Sequence, residues 1–183
     1  KRNANTIIGV SLIVIALVTW PLFSKMSRQK EIAQNTQVAG AVRMLGQDMA
    51  AAMRAYEDDP AQLSSSLNAI LANAEALMDQ ASTTDNPDLS AMAYIKAAQA
   101  IRTELHLRKN IVPTETADAQ VQKARPAYEK APHWATLPPP KAPAPVGRAL
   151  CAEESGRTAQ AAEIYNGIVG DESYAATVFP ELA

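Results

Sequence analysis

The residues of this chain that could do chemistry are few. Cys151 is the single cysteine, so it can form neither an intrachain disulfide nor a cysteine-based metal site. We interpret it as a small buried side chain on a helix. The alternative, a reactive nucleophile, requires a histidine nearby, and neither His106 nor His133 is close to it in sequence. Both histidines are predicted to be solvated or hydrogen-bonded, not metal ligands.

Acidic pairs and tyrosines are the other candidates for chemistry. Asp58-Asp59 and Glu153-Glu154 fall where helices are expected to meet turns, which indicates solvated helix ends, because paired acid catalysts need a cleft. Four tyrosines recur on predicted apolar helix faces and are interpreted as core residues: Tyr56, Tyr94, Tyr128 and Tyr165. No glycine-rich phosphate loop, His-Glu-x-x-His or Cys-x-x-Cys occurs. The sequence therefore predicts no catalytic, cofactor-binding or metal site.

The composition indicates what kind of scaffold carries these residues. Alanine accounts for 36 of the 183 residues, whereas glycine accounts for 7 and aromatic residues for 5%. Alanine is the best helix former, and scarce glycine argues against a turn-rich β fold. We therefore predict an all-α protein.

The charge is distributed unevenly along the chain. Residues 1–30 hold five Lys or Arg and no acid, whereas residues 31–183 hold the other 12 together with all 19 acids. The first region suits anionic lipid headgroups, with Lys25, Arg28 and Lys30 as the predicted headgroup flank. The second has a net charge of −7 and no basic cluster, which argues against nucleic acid as a partner.

Residues 6–23 contain no charge and are rich in Ile, Leu and Val. As a helix they would measure roughly 27 Å, close to the thickness of a bilayer core. Trp20 and Phe23 stand near one end, where aromatic belts occur, and Pro21 is expected to end or kink the helix. The predicted anchor residues are Ile7, Ile8, Val10, Leu12, Ile13, Val14, Ile15, Leu17, Val18, Trp20, Leu22 and Phe23.

Two alternatives compete with this transmembrane prediction, namely a cleavable signal peptide and a buried core helix. No small-x-small cleavage pattern follows the apolar run, and basic ends fit a spanning helix better. Two Lys or Arg precede the segment and three follow it, so the charge asymmetry is slight. We expect a bacterial inner-membrane protein that crosses once and places its helical domain in the periplasm.

Heptad spacing predicts a helical hairpin after this segment. The first arm is expected to end near Glu57, because Asp58-Asp59-Pro60 should break the helix. Its apolar positions are Val38, Val42, Leu45, Met49, Ala52 and Tyr56. The apolar positions of the second arm are Leu63, Leu67, Ile70, Ala74, Leu77 and Ala81. Equal seams joined by a short break indicate antiparallel packing of the two arms.

Two further helices and a proline-rich segment are predicted next. Asn86 is expected to cap a helix that has Pro87 at its first position and runs to about Lys109. A fourth helix opens at Pro113-Thr114, and Pro126 should kink or restart it. Five of the eight residues in 138–145 are proline, which indicates a stiff polyproline spacer. A ligand for an aromatic groove and a disordered stretch are the alternatives.

The last predicted hairpin turns at Gly156, begins its second helix near Thr158 and stops at Gly170. It resembles a tetratricopeptide repeat, whose small, glycine, alanine and aromatic positions match Ala149, Gly156, Ala161 and Tyr165. Residues 93–131 resemble a degenerate second copy. The repeat's tryptophan and terminal proline are absent, and no period of about 34 residues runs along the chain. The resemblance implies partner binding without chemistry.

The predicted organisation is an anchor with basic flanks over 1–30, helical hairpins over 31–137, the spacer over 138–145, and the repeat-like hairpin over 146–183. Such an architecture resembles bacterial inner-membrane ancillary proteins of the tetratricopeptide-like class. It favours a membrane-anchored scaffold or ancillary chaperone that contacts lipids and other envelope proteins. The alternative is a fixed accessory subunit of a large energy-transducing, photosynthetic or secretion assembly. An enzyme, which would need a pocket with perturbed titratable groups, is the third possibility.

Overall fold

The structure, a computed structural model, describes the backbone of residues 2–108, 114–134 and 143–174. Side chains are described from Lys25 onward within these ranges, except at 57, 58, 60, 114–117, 132–134 and 173. Every regular element in these ranges is helical, so the all-α prediction is confirmed there. The helices are α1 (Arg2–Asp58), α2 (Pro60–Thr83), α3 (Pro87–Arg108), α4 (Thr114–Trp134), α5 (Pro143–Glu154) and α6 (Thr158–Gly170), followed by a 3₁₀ turn (Glu172–Tyr174).

The predicted transmembrane helix over residues 6–23 is corrected by the structure. α1 does not end at Pro21 or Phe23 but continues through the basic flank to Asp58 as one helix of 57 residues. A spanning helix needs about 20 consecutive apolar residues, and no helix in the described part of the chain is long and apolar enough to cross a membrane. The transmembrane part of the predicted fold class is therefore wrong, as is the predicted single-pass location in a bacterial inner membrane. The side chains of the individual anchor residues lie outside those that the structure describes.

The chain divides into two units, residues 1–36 and 37–183. The first unit is a stretch of α1 only. Its described side chains, from Lys25 to Thr36, are exposed or half-exposed, and those of Lys25, Arg28 and Lys30 are exposed. Thr36 Oγ1 donates a hydrogen bond to Ile32 O within the helix. The predicted contact of the three basic residues with lipid headgroups stays a prediction.

The second unit begins with the hairpin of α1 and α2. Asp59 separates the two helices, and its Oδ1 accepts hydrogen bonds from the backbone N–H groups of Ala61 and Gln62 at 3.0 and 3.1 Å. Asp59 is thus an N-cap, and Pro60 occupies the first helical position, where its missing N–H costs nothing. The predicted break at Asp58-Asp59-Pro60 is confirmed.

The two predicted seams form most of the hairpin core. All six residues of the α2 seam are buried, whereas the α1 seam is buried at Val38, Leu45 and Ala52 and partly buried at Val42 and Met49. Tyr56 is the exception, because 48% of its surface is exposed. The interpretation of Tyr56 as a core residue is therefore wrong, and the seam of α1 effectively ends at Ala55.

Successive helices pack in chain order beyond this hairpin. α2 packs on α3, α3 on α4, α4 on α5, and α5 on α6, and α3 also touches α5. α1 approaches α3 closely enough that a Cβ added at Gly46 would lie 3.3 Å from Lys96 Cε. The interfaces of α3 are built largely from alanine, which brings helix axes close together: Ala91, Ala93, Ala97, Ala98 and Ala100 are all buried.

The ends of the later helices follow local signals. Asn86 Oδ1 accepts a hydrogen bond from Leu89 N at 3.0 Å, as predicted for an N-cap before Pro87. Gly156 adopts a φ of +71°, the left-handed conformation that favours glycine in the turn between α5 and α6. α6 begins at Thr158 and ends at Gly170, as predicted, although Arg157 is its N-cap and makes no side-chain cap.

Prolines behave differently from the predictions in two places. α4 passes through Pro126 as one continuous helix and does not restart there. α5 begins at Pro143, so the last three residues of the predicted spacer form its first turn, as a helix tolerates proline there. The rest of the spacer, residues 138–142, lies outside the described residues, as do 109–113 and 175–183.

Candidate functional site

The single thiol does not form a reactive site. Cys151 lies on α5 and is completely buried. Burial raises the pKa of this thiol to about 11, so it is protonated at neutral pH, whereas the nucleophilic form of cysteine is the thiolate. The interpretation of Cys151 as a buried packing residue is confirmed.

A charged cluster joins α3 to α5 beside this thiol. Arg102 Nε donates to both carboxylate oxygens of Glu154 at 3.1 Å, and its Nη2 donates to Oε1 at 2.6 Å. His106 Nε2 lies 2.8 Å from the same Oε1. The side chains of Arg102 and Glu154 are only 16% and 15% exposed. The interpretation of Glu154 as a solvated helix end is therefore wrong, because its carboxylate contacts Arg102 and His106 of α3.

The electrostatics of this cluster fix its charge state. Burial alone would lower the pKa of the Arg102 guanidinium, but the hydrogen bonds and negative charge of Glu154 outweigh burial and raise that pKa. Arg102 is consequently a permanent cation paired with a carboxylate. A fork of this kind holds planar groups in a fixed geometry.

Tyr128 of α4 completes the contact with α5. Its side chain is fully buried, and burial raises its pKa to about 12, although the nearby Arg102 partly opposes the rise. The ring lies against the backbone of Gly147, so that a Cβ at this position would meet Tyr128 Cε1 at 2.2 Å. Only glycine allows this approach without displacing the ring.

These side chains form a structural contact between α3, α4 and α5. Arg102, Glu154 and Tyr128 satisfy one another, and the thiol beside them is fully covered. No group of three His, Cys, Asp or Glu side chains that could hold a metal ion occurs among the described residues. His133 belongs to α4, and its side chain lies outside those described.

A second feature is a shallow groove between α1 and α2, which we call the Gln80 groove. Its floor contains Leu45 and Leu77, both buried, and Met44 stands at its rim with 61% of its surface exposed. The groove holds a volume of about 90 Å³. Its complete lining is Ala41, Met44, Leu45, Asn73, Ala76, Leu77 and Gln80.

Polar atoms occur at two points of this groove. Asn73 Nδ2 donates a hydrogen bond of 2.8 Å to Asp48 Oδ2, which links α2 to α1. Gln80 Oε1 is buried and accepts no hydrogen bond, one of two such side-chain oxygens among the described residues; the other is Gln120 Oε1 on α4. A buried acceptor without a donor costs free energy, so a ligand that supplies a donor would be favoured there.

The repeat-like packing residues occupy the positions expected for a helical hairpin. Ala149 and Ala161 are buried, and Gly156 forms the turn. Tyr165 is half-buried, and its hydroxyl donates to Glu153 Oε2 at 3.2 Å. Tyr94 and Tyr128 are buried core residues, as predicted.

Sequence reasoning missed Arg102, Gly147 and Gln80. Gly147 did carry a signal, because a glycine inside an alanine-rich helix costs stability and usually has a packing reason. The buried Glu104 carried one too, since it falls between Ile101 and Leu105 and pairs with Arg108 one turn later. The sequence around Arg102 and Gln80 carried no signal of this kind.

Comparisons of the chain with protein-family models, with curated proteins and with solved structures found no match. The tetratricopeptide resemblance therefore stays a prediction. α5 and α6, with 12 and 13 residues, have the size of one repeat, whereas α2, α3 and α4, with 24, 22 and 21, exceed half of a repeat of about 34 residues.

Proposed function

We propose that this chain is a non-catalytic protein-interaction module, a scaffold or ancillary chaperone built from stacked helical hairpins. The proposal depends on one observation: the Gln80 groove opens beside Met44, a large apolar side chain that α1 leaves exposed. Met53 and Tyr56 are exposed further along this helix. Exposed methionines adapt their shape to a partner, because the side chain is unbranched and polarizable.

The order of packing supports the same function. Each hairpin contacts the next along the chain, and stacked hairpins of this kind present extended surfaces to partners. The charged cluster adds a side-chain contact between α3 and α5 within this stack.

Site-specific photo-crosslinking of the full chain tests this function. A benzophenone amino acid placed at Met44 should crosslink partner proteins in cells that express the chain. The same amino acid at Met92, an exposed methionine on α3, is the matched control. Crosslinks that are specific to position 44 support the proposal. Absence of crosslinks at position 44, or identical products at both positions, contradicts it.

The second candidate is a fixed accessory subunit of a larger assembly. It is favoured by Met26 and Ile32, two large apolar side chains that are exposed in the stretch of α1 before Thr36. A fixed subunit should co-elute with one assembly at constant stoichiometry during gentle purification. A scaffold or chaperone should instead exchange partners and elute mainly without them.

A further inference from the structure

We infer that the Gln80 groove binds a lysine side chain presented by an α-helix of a partner protein. This inference rests on the proposed interaction function and adds the chemistry of the bound segment. The groove combines an apolar floor, a buried oxygen without a donor, and the Asp48 carboxylate bound to Asn73 at its edge. Lysine matches all three, because it joins an aliphatic stem to a cationic group with three donors and no acceptor.

The apolar floor of the Gln80 groove would contact the aliphatic stem of the lysine. Leu45 and Leu77 are buried, and Met44 can fold over an inserted chain from the rim. The volume of about 90 Å³ is large enough for an unbranched aliphatic chain. Four methylene groups against two leucines would remove apolar surface from water on both sides.

The polar atoms of the groove would accept hydrogen bonds from the ammonium group of the lysine. Gln80 Oε1 is buried and has no hydrogen-bond donor, and the Asp48 carboxylate lies on the same side of the hairpin, held by Asn73. The Asn73 amide that lies in the groove already donates to Asp48. The groove therefore offers acceptors to a ligand, and a cation supplies what they need.

The charge of α2 favours the same ligand. No Lys or Arg occurs in the 24 residues of α2, whereas Glu75 and Asp79 are exposed on it. Glu75 pairs with Lys123 of α4, and neither Glu75 nor Asp79 lines the groove, so Asp48, bound to Asn73, is the carboxylate that lies beside it. A basic partner is attracted to a helix that carries only negative charge, and an acidic partner is repelled.

The shape of the rims indicates that the lysine arrives on a helix. Ala41 and Ala76 stand on opposite sides of the groove, and both are small enough to let a third helix lie between α1 and α2. Packed helices are separated by about 8–10 Å, which small residues at the contact permit. An amphipathic helix laid in a groove between helices is a common mode of protein recognition.

Matched peptides test the inference on the full chain. The probe is a helical peptide of alanine and leucine with one central lysine, and the control peptide carries norleucine at that position. Norleucine keeps the aliphatic stem and removes the charge. Calorimetry should show affinity for the lysine peptide at least about tenfold higher, because a hydrogen bond to a charged group is lost in the control. The methyl NMR signal of Met44 should shift, and that of Met92 should not.

Variants of the groove make the test specific. Gln80→Leu should abolish the preference for lysine, and Gln80→Glu should increase it. Gln120→Leu, at the other buried amide oxygen without a partner, should change nothing, and circular dichroism verifies that each variant is folded. Equal binding of the two peptides, no binding of either, or a Met44 shift unaffected by Gln80→Leu overturns the inference. If position 44 still crosslinks a partner protein, the proposed function survives that outcome.

Discussion

The α1–α2 hairpin and the α5–α6 hairpin are held in the second unit by different forces. The first is held mainly by two regular rows of apolar side chains; Asn73 binds Asp48 between its arms, and Ser90, Arg108 and Lys123 of the neighbouring helices make polar contacts at its surface. The second is fastened to α3 and α4 by the Arg102–Glu154 fork and by a ring packed on Gly147. In the apolar rows, many residues share the contribution of packing to the free energy of unfolding. The Arg102–Glu154 fork and the contact of Tyr128 with Gly147 each depend on single residues. The hairpins should therefore respond differently to single substitutions.

The largest effect is expected from deleting volume in the seam of the α1–α2 hairpin. Leu67 is completely buried, so Leu67→Ala should lower the free energy of unfolding by about 2–5 kcal/mol through lost burial and a cavity. Urea denaturation followed by circular dichroism measures the change. Met53→Ala, on the exposed side of α1, should change it by less than about 0.5 kcal/mol. Equal costs at the two positions would show that the described seam is not the core.

Adding one methyl group in the α5–α6 hairpin should have the next largest effect. Gly147→Ala forces the new Cβ against the Tyr128 ring and should cost about 1–3 kcal/mol by overpacking. The matched control is Gly167→Ala on α6, where a new Cβ meets nothing within 4 Å. That change should stabilise the helix by about 0.5–1 kcal/mol. Opposite signs at two helical glycines, measured by thermal unfolding, would locate the close contact; a stabilising Gly147→Ala would disprove it.

The two hairpins also differ in how much of them the sequence predicts. The seams of α1 and α2 were predicted residue by residue, because apolar residues that recur every 3.5 positions can be recognised in a short stretch of sequence. The break at Asp58-Asp59-Pro60, the cap at Asn86 and the turn at Gly156 were predicted for a similar reason, since each depends on its immediate neighbours. Local signals thus account for these boundaries, but not for the continuation of α1 past Phe23 or for the start of α5 at Pro143.

Contacts distant in sequence could not be predicted in this way. Arg102 and Glu154 are separated by 52 residues, and nothing near either indicates its partner. Glu154 looked like a solvated helix end because its local sequence is that of one. The predicted end of the anchor helix was wrong for a related reason: Pro21 was expected to end or kink it, whereas the helix extends to Asp58. Composition of a segment does not determine where its helix stops.

A smaller effect should distinguish the buried fork from an exposed ion pair. Arg102 and Glu154 are mostly buried, whereas Lys123 and Glu75 are 51% and 53% exposed. Double-mutant cycles to alanine should give a coupling of about 1.5 kcal/mol for the first pair. The exposed pair should give about 0.2–1 kcal/mol, because solvent screens it. If the exposed pair couples as strongly, the fork does not fasten α5 to α3 as described.

The smallest effect concerns pH, and it should arise at the α4–α5 contact. Burial raises the pKa of Tyr128 from 10.0 to about 12 and that of Cys151 from 9.0 to about 11, so both groups hold their protons more tightly when folded. Their contribution to stability is present below the unfolded values and is lost as pH rises through the folded ones. Stability should therefore fall from about pH 9 upward, with Tyr128 contributing about 1 kcal/mol of the loss near pH 10.5.

Two substitutions separate these contributions from those of the rest of the chain. Cys151→Ala should remove the loss that begins above pH 9, and Tyr128→Phe the loss that begins above pH 10, because each deletes a group that must ionise in a covered site. Urea unfolding at a series of pH values provides the measurement. A profile that Tyr128→Phe leaves unchanged would contradict the buried contact between Tyr128 and Gly147.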